Sequence, residues 1–372
     1  MEREVKNILM VFIDGLQYDM AVDKLNILKD ADNSRVIPGI GFSNNLYPEM
    51  LCGTNPDEID YFNEWSPVKS EKRVLPFYLR WLDMFRGSLY INAGIRKIIL
   101  KKFFHLDFSN IPFKYAHYFK AQGSHNFRDL TGNNILHDYN FEIYDSVETL
   151  KGVGERDKYI IDKLDDELSN SNYLLSLVDL DNIAHINGVS STPFDKHIDY
   201  LDGSLQKLFN KFKLLNQENE IYLFSDHGMV NVSKVVNFDI EKHFGVMDKN
   251  KYLYFVDSTY MRVWVKDKNL LGDFEEYLLN LEFGELLSEE QRKDFGLTNR
   301  AFGDFIFRGG EGVMFVPNFY GGRVNKAMHG YDSHLKSQNA IFSKIDDNGN
   351  NFDMPGTSKE IFHYLTKVIN EK

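Results

Sequence analysis

Six side chains of metal-binding type and one hydroxyl stand at separate points of the sequence, each close behind an apolar run or a glycine-rich turn. They are Asp14, Ser43, Asp181, His185, Asp226, His227 and His329. Three carboxylates and three imidazoles supply two sets of three N/O ligands, which suits Zn²⁺ sites that keep one position open. Two such ions can clamp the attacking and leaving oxygens of a phosphoryl group, and a serine hydroxyl bound beside them becomes a nucleophile.

The clearest of these positions follows the apolar run Ile221–Phe224. The run predicts a buried strand, and in open α/β sheets ligands bind at the carboxyl ends of strands. Because side chains alternate along a strand, Asp226 and His227 reach one metal only if the chain leaves the strand there. We expect Gly228 to permit that turn.

Other segments predict similar strand ends. Ile8–Ile13 is a continuous apolar run, typical of a strand covered on both faces, and Asp14 follows it. A further strand is predicted from Leu174 to Asp181, with His185 four residues beyond and close enough to share an ion after a turn. Glycines before Ser43 predict a tight loop and then a helix, where the serine is an N-cap or offers a hydroxyl at a phosphate-binding N-terminus.

The remaining pattern outlines an α/β core with an insertion. Residues 126–172 are predicted to be largely helical, and a long helix with an apolar stripe is predicted to begin with Thr192 as its N-cap. Between about 235 and 325 the regular alternation breaks into short strands, which predicts an inserted cap subdomain. The core returns with His329, a last strand over Asn339–Ser343 and a C-terminal helix.

Residues 65–125 differ in charge from the rest of the chain. Nine Lys and Arg residues stand against two acids between Lys69 and Lys102, with aromatic residues interleaved, although the net charge of the chain is −12. One interpretation is an amphipathic helical pair with a solvated basic face. The other is a helical lid that attracts an anionic substrate or contacts a membrane surface through residues 65–104.

Composition excludes some classes of protein. The chain has 372 residues, 43% of them hydrophobic, which is enough for one large core with an insertion or for two domains. Its acidic balance argues against binding of nucleic-acid duplexes. Cys52 is the one cysteine, so no intrachain disulfide can form. With no secretory pattern at the start, we expect a cytoplasmic location.

Five motifs, in this order along the chain, resemble the alkaline phosphatase superfamily, and most closely its nucleotide pyrophosphatase/phosphodiesterase branch. Any one of them is weak alone, whereas five in sequence are specific. They are Phe12–Gly15, similar to the strand end with the metal-binding Asp; Ser43, nine residues before the Thr-Gly-x-x-Pro-like Cys52–Pro56; Asp181–Gly188, similar to Asp-x-x-Gly-His-x-x-Gly; the intact Ser-Asp-His-Gly-Met of Ser225–Met229; and His-Gly-x-Asp at His329–Asp332, followed by Ala340–Phe342.

The resemblance implies a three-layer α/β sandwich with a mostly parallel central sheet flanked by helices, plus an inserted α+β cap and a helical lid. Residues 1–235 and 326–372 would form the catalytic core, with the lid at about 65–125 and the cap at 236–325. It implies two divalent ions, zinc or alternatively manganese. One would be held by Asp181, His185 and His329, the other by Asp14, Ser43, Asp226 and His227. Asn63, one residue off register, would correspond to an Asn that holds a phosphate oxygen.

Three functions are compatible with these residues. The first is hydrolysis of a phosphodiester or pyrophosphate bond through Ser43 by two-metal in-line displacement. The second is a phosphomonoesterase or phosphomutase on the same fold, although Asn44 and Asn45 supply no cation beside the nucleophile. The third is a metal-containing module that binds a phosphorylated ligand without turnover. The basic aromatic segment suggests a bulky anionic substrate, such as a nucleotide sugar, a glycan phosphodiester or a lipid-linked phosphate.

Overall fold

The computed structural model describes residues 6–68, 110–112, 114–122, 127–130, 132–320, 323–345 and 353–370. The chain divides into two compact units. The sheet unit comprises residues 1–55, 125–231 and 325–372, and the inserted unit comprises residues 56–124 and 232–324. The basic stretch Lys69–Lys102, on which the lid prediction depends, lies outside the described residues. The functional domain boundaries expected from the sequence stay predictions.

Strands and helices are numbered here in chain order. The strands are β1 (Ile8–Ile13), β2 (Asp32–Val36), β3 (Trp65–Pro67), β4 (Phe119–Ala121), β5 (Glu142–Asp145), β6 (Tyr173–Leu177), β7 (Glu220–Phe224), β8 (Val230–Asn231), β9 (Lys234–Val236), β10 (Tyr252–Val256), β11 (Tyr260–Val265), β12 (Gly284–Leu286), β13 (Phe305–Gly309), β14 (Val313–Phe315), β15 (Ala327–Met328) and β16 (Ala340–Ile345). The helices are α1 (Tyr18–Lys24), α2 (Ser43–Cys52), α3 (Pro56–Ile59), α4 (Ile135–Asp138), α5 (Arg156–Glu167), α6 (Asp179–Asn187), α7 (Thr192–Leu215), α8 (Glu241–Phe244), α9 (Leu271–Leu279), α10 (Glu289–Asp294) and α11 (Ser358–Asn370). Within the described ranges, no helix has both the length and the apolar character that a membrane crossing needs.

The sheet unit is built on a six-stranded sheet in the order β2-β16-β7-β1-β6-β5. The strands β7, β1, β6 and β5 run parallel, and β16 is antiparallel to both of its neighbours. The carboxyl ends of β1, β6 and β7 therefore meet at one edge. There the backbone N–H of Asp14 donates to the carbonyl of Leu177 at 2.9 Å, which joins the ends of β1 and β6. The predicted mostly parallel sheet is confirmed.

Both faces of this sheet are apolar and covered by helices. On β1, Leu9, Val11 and Ile13 pack with α5 and α7, whereas the alternate residues pack with α2 and α11. Every residue of β1, β6 and β7 is buried. Burial on both sides explains why these strands read as continuous apolar runs, and it gives the predicted three layers.

The long helix α7 covers one face of the sheet with the predicted stripe. Its buried residues include Ile198, Leu201, Leu205, Leu208, Phe209 and Phe212. Burying each such side chain stabilises the fold by roughly 1.5–3 kcal/mol. The N-cap is Ser191, one residue before the expected Thr192, and its hydroxyl accepts from the backbone N–H of Phe194 at 3.4 Å.

Two secondary-structure predictions were wrong. The strand expected over Leu174–Asp181 ends at Leu177, and α6 begins at Asp179, so Asp181 lies on a helix. The stretch 126–172 is less helical than expected because it also contains the edge strand β5. Four residues are too few for their alternation to distinguish a strand from a short helix.

The inserted unit contains an antiparallel sheet in the order β10-β11-β13-β12, with β14 and β9 as a separate parallel pair. The short strands predicted between 235 and 325 correspond to β10, β11, β13 and β14. Its core is dense in aromatic rings, among them Phe255, which contacts Trp65, Phe119 and Phe319. A polar cluster around Arg262 is buried in the same core.

Glycine is required at position 228 because a side chain there would clash with neighbouring atoms, and not, as expected, because the turn needs a backbone conformation that only glycine adopts. Gly228 does not have a positive φ angle. A Cβ atom there would lie 2.2 Å from the carbonyl oxygen of Ser337 and 2.7 Å from Cγ of Gln17. A backbone carbonyl cannot yield cheaply, so the loop that carries His227 depends on the missing side chain.

We expect Gly228→Ala to destabilise the protein by about 1–3 kcal/mol, the usual range for overpacking, and to displace His227. The measurement is denaturant unfolding. Gly203→Ala is the control, since nothing lies within 4 Å of a Cβ at this position inside α7. That change should stabilise the helix by up to about 1 kcal/mol. Equal stability of Gly228→Ala and the wild type would contradict the packing argument.

Candidate metal centre

Asp226 and His227 occupy the loop directly after β7. Asp226 is fully buried, and its Oδ1 accepts from the backbone N–H groups of Gly15 at 3.2 Å and of His227 at 2.9 Å. Its Oδ2 lies 3.2 Å from Nε2 of His227. The loop thus fixes one carboxylate oxygen with backbone donors and turns the other towards the imidazole.

Asp14 and Ser43 approach the same point from β1 and α2. Asp14 Oδ1 lies 3.6 Å from Nε2 of His227, and Ser43 Oγ lies 3.4 Å from Asp14 Oδ1. Ser43 Oγ is also 3.2 Å from Nε2 of His227. Ser43 is the first residue of α2, and the N-cap position belongs to Phe42. The serine hydroxyl is therefore directed into the cluster and does not serve as the helix cap.

Asp181 and His185 are four residues apart on α6, one turn of helix. Their facing atoms, Asp181 Oδ2 and His185 Nε2, are 3.3 Å apart. His329 follows β15, which pairs with β8 just beyond the Asp226–His227 loop. This short ladder stacks the rings of His227 and His329 with centroids 3.7 Å apart, and it places His329 Nε2 3.9 Å from Asp181 Oδ1.

Two of the three imidazoles have their tautomer set by backbone carbonyls. His185 Nδ1 lies 2.8 Å from the carbonyl oxygen of Ala327, and His227 Nδ1 lies 3.2 Å from that of Gly228. A carbonyl only accepts, so each Nδ1 carries the proton and donates it. Each Nε2 then presents a lone pair to the cluster, the arrangement of metal-ligating histidines.

The donor spacing fits divalent metal ions. Ligand atoms about 2.0–2.1 Å from a tetrahedral zinc stand about 3.3–3.5 Å apart, close to the 3.2–3.6 Å contacts around His227. Among the described residues, the buried oxygens Asp181 Oδ1 and Asp226 Oδ2 accept no hydrogen bond. Buried carboxylate oxygens without donors are expensive unless a cation occupies the site.

The structure brings all seven predicted residues of the sheet unit together. Their ligand atoms form two overlapping groups within 4.8 Å, Asp14, Asp226 and His227 in one and Asp181, His227 and His329 in the other. His227 belongs to both groups, and His185 joins through Asp181. The assignment of each ligand to one of two ions stays a prediction.

The buried carboxylates of this site have shifted pKa values. Burial, reinforced by the charges of Asp226 and Asp181, raises the pKa of Asp14 well above its usual value. Burial also raises the pKa of Asp226. Burial works against the ionised form of Asp181 as well, but without a metal ion the positive charge that His185 and His329 carry when protonated holds the pKa of Asp181 below its usual value. A divalent cation would offset both the burial and the carboxylate repulsion that raise the pKa values of Asp14 and Asp226.

Asn63 lies in the inserted unit and is buried in that unit's polar cluster. Its amide nitrogen donates to Asp257 Oδ1 at 3.1 Å, and its amide oxygen accepts from the hydroxyl of Tyr320 at 2.8 Å. The same oxygen accepts from the backbone N–H of Trp65 at 3.0 Å. The cluster therefore fixes the orientation of the Asn63 amide, and the role of Asn63 in catalysis stays a prediction.

Sequence reasoning missed one group of residues beside the site. Asp157 from α5, Asp179 from α6 and His197 from α7 are buried near the start of α6. Their ligand atoms lie within 4.8 Å of one another. Asp179 falls within the predicted strand, two residues before Asp181, where the pattern favours a supporting residue over a ligand, and no role is predicted for Asp157 or His197. The sequence offers no local signal for the group, since Asp157 and His197 lie 20 or more residues from Leu177, where β6 ends.

The type I phosphodiesterase / nucleotide pyrophosphatase family matches residues 108–332 of the sequence. The chain belongs to this family. It is accordingly a hydrolase of the phosphodiesterase/nucleotide pyrophosphatase type, as the sequence motifs predicted. The matched range includes Asp181, His185, Asp226, His227 and His329, whereas Asp14 and Ser43 precede it.

Solved structures of this family share the fold. Human ectonucleotide pyrophosphatase/phosphodiesterase 5 superposes with a TM-score of 0.65 at 16% identity, covering 98% of this chain and 95% of that one. The murine protein gives 0.63 at 15% identity with the same coverage. An inactive murine variant in complex with AMP gives 0.61 at 15% identity. No curated protein matches the sequence.

Asp257, which orients Asn63, should make stability depend on pH. Burial raises its pKa from 3.8 to about 6, against the opposing charge of Arg262. The folded state then binds the Asp257 proton more tightly than the unfolded chain does, so raising the pH from about 4 to 6 removes stability. The shift corresponds to roughly 3 kcal/mol.

We therefore expect the unfolding free energy of the wild type to fall by a few kcal/mol, relative to that of Asp257→Asn, as the pH rises from about 4 to 7. Urea titrations across this range measure it. Asp273→Asn, at an exposed position of α9, is the control for the loss of a carboxyl group that is not buried. A constant difference for Asp257→Asn would refute the buried titration.

Proposed function

We propose that the protein is a metal-dependent hydrolase of phosphodiester or pyrophosphate bonds that uses Ser43 as its nucleophile. The observation that carries the proposal is the position of Ser43 Oγ, 3.4 Å from Asp14 Oδ1 and 3.2 Å from His227 Nε2, at the N-terminus of a ten-residue helix. A helix N-terminus favours a phosphate group, so nucleophile and phosphate-binding donors coincide.

Two divalent ions, zinc or alternatively manganese, would be held by the carboxylates and imidazoles of the cluster. Asp14, Asp226, His227 and Ser43 would hold one, and Asp181, His185 and His329 the other. Bound there, the ions would supply Lewis acidity, a lower pKa for the serine hydroxyl and neutralisation of the phosphate. The unsatisfied oxygens Asp181 Oδ1 and Asp226 Oδ2 support the proposal.

The chain's own residues then define the chemical steps. The Ser43 hydroxyl attacks phosphorus in line with the leaving oxygen, and its proton passes to that departing oxygen. The product is a phosphoserine that still carries one substituent, so the first half of the substrate departs. In the second step water attacks the phosphoserine, one of its protons passes to the departing Ser43 oxygen, and its hydroxyl stays on the released phosphate. Asp14 and His227, which contact Ser43 Oγ, orient the hydroxyl for both steps.

A nucleotide is the substrate class best supported by comparison, since the murine relative was solved in complex with AMP. Nucleotide sugars, glycan phosphodiesters and lipid-linked phosphates stay further candidates, because the basic segment Lys69–Lys102 would attract a bulky anion. A membrane contact through that segment and a cytoplasmic location also stay proposals. The proposed location rests on the single cysteine, Cys52, which can form no intrachain disulfide, and on the lack of a secretory pattern in the given sequence.

Zinc should bind in two equivalents and stabilise the fold. EDTA should lower the melting temperature and abolish turnover, and added zinc should restore both, because ligands that bind only the folded state stabilise it. We expect Asp226→Asn to lose one equivalent in a chelator competition titration. Asp199→Asn, an exposed position on α7, is the matched control. Equal zinc binding by Asp226→Asn and wild type would contradict the ligand assignment.

Ser43→Ala should reduce hydrolysis of bis-p-nitrophenyl phosphate by more than about 1,000-fold, the scale seen when a covalent nucleophile is removed. Zinc binding should largely remain, since six other ligands persist. Ser190→Ala, at an exposed position before α7, is the control and should hydrolyse the diester at the wild-type rate.

The same assay separates the alternatives. Wild type should hydrolyse bis-p-nitrophenyl phosphate faster than p-nitrophenyl phosphate. Faster turnover of the monoester would indicate a phosphomonoesterase, and zinc binding with turnover of neither would indicate a binding module. A fully active Ser43→Ala variant would remove the nucleophile assignment.

A further inference from the structure

Two buried carboxylates cap each other's helices. Asp157, in the first turn of α5, accepts from the backbone N–H groups of Val178 at 3.0 Å and Asp179 at 3.2 Å, where α6 begins. Asp179, the first residue of α6, accepts in return from the backbone N–H groups of Arg156 at 2.8 Å and Asp157 at 3.1 Å, where α5 begins. We refer to Asp157 and Asp179 as the carboxylate pair.

Two further side chains form hydrogen bonds to the carboxylate pair and fix its orientation. Arg156 Nε donates to Asp179 Oδ1 at 2.7 Å, and His197, from α7, places Nε2 2.9 Å from Asp157 Oδ2. Asp157 and Asp179 are 0% exposed and His197 is 6% exposed. Three helices therefore meet at one buried polar point.

This group is not a third metal site, although its ligand atoms lie close enough to hold an ion. All four oxygens of the carboxylate pair already accept from N–H donors. At the metal centre, by contrast, Asp181 Oδ1 and Asp226 Oδ2 accept none from the described residues. The guanidinium of Arg156 also supplies the positive charge that an ion would otherwise bring.

The carboxylate pair determines where α6 starts. The first N–H groups of a helix lack partners within the helix, and a carboxylate placed there satisfies them and interacts favourably with the helix dipole. Asp181 is the third residue of α6 and so lies in the turn that Asp157 caps. We infer that the carboxylate pair, held by His197, is a positioning device that aims Asp181 and His185 at the metal centre. This inference rests on the proposed two-metal function.

The inference predicts a selective loss of metal affinity. Asp157→Asn keeps the shape of the side chain but replaces one acceptor oxygen with a donor and removes the charge, so the cap on the first turn of α6 is weakened. Affinity for the zinc equivalent that depends on Asp181 should fall on the order of 10- to 100-fold, as for other residues that orient metal ligands. The second equivalent should be unchanged, since Asp14 and Asp226 follow β1 and β7. Chelator competition measures both.

Amide hydrogen exchange on metal-free protein provides a readout that does not depend on zinc. In Asp157→Asn the amides at the start of α6 should exchange faster, while those of α2 keep their protection. Wild-type protein that binds no zinc would refute the proposed function, yet faster exchange in α6 would still establish the cap. Unchanged exchange in α6, or wild-type affinity for both zinc equivalents, would overturn the inference.

Matched variants separate positioning from loss of stability. Glu220→Gln removes another buried carboxylate, one that lies at the start of β7 and accepts from the hydroxyl of Tyr222 at 3.0 Å. It should lower the melting temperature without changing zinc affinity. If Asp157→Asn does not fold, His197→Leu tests the inference by the same two measurements. His197→Gln, which keeps an N–H donor towards Asp157, should retain most of the zinc affinity. Equal zinc weakening in Glu220→Gln would show a merely structural effect and overturn the inference.

Discussion

Three buried carboxylates repel one another at the carboxyl ends of the central strands, and the rest of the site depends on how their charge is compensated. Asp14, Asp181 and Asp226 are 6%, 8% and 0% exposed, and among the described residues no Lys or Arg forms an ion pair with them. Like charges in a medium of low dielectric constant strongly disfavour one another's ionisation. Such a cluster keeps its charge only when protons, imidazolium groups or cations compensate it. Two imidazoles donate their Nδ1 protons to carbonyls, which leaves their Nε2 atoms to serve as ligands.

The surrounding architecture keeps these groups together against that repulsion. Asp14 and Asp226 follow the ends of β1 and β7. These two strands are hydrogen-bonded to each other and buried on both faces. His329 is held by the short β8–β15 ladder. The apolar layers thus supply the free energy that holds unfavourable charges in place, as is usual for sites in which function and local stability conflict.

The sequence predicted those parts of the site that depend on local pattern. Continuous apolar runs identified β1 and β7, and a polar residue directly after each run identified Asp14 and Asp226. It failed where the decisive contact is distant in sequence. After Leu177 the apolar residues Val178 and Leu180 still alternate with acids as in a strand, yet the chain forms a helix because Asp157 caps it. The orientation of Asn63 was equally unpredictable, since Asp257 and Tyr320 are remote in the chain.

That change from strand to helix alters the chemistry available at this edge. In a strand, residues four apart are about 13 Å apart along the chain, so Asp181 and His185 could not face one ion without a further turn. On a helix, residues four apart lie on the same face, and their facing atoms are 3.3 Å apart. The cap formed by Asp157 therefore does more than stabilise α6. It selects the backbone conformation in which a carboxylate and an imidazole from one short segment converge on the same point.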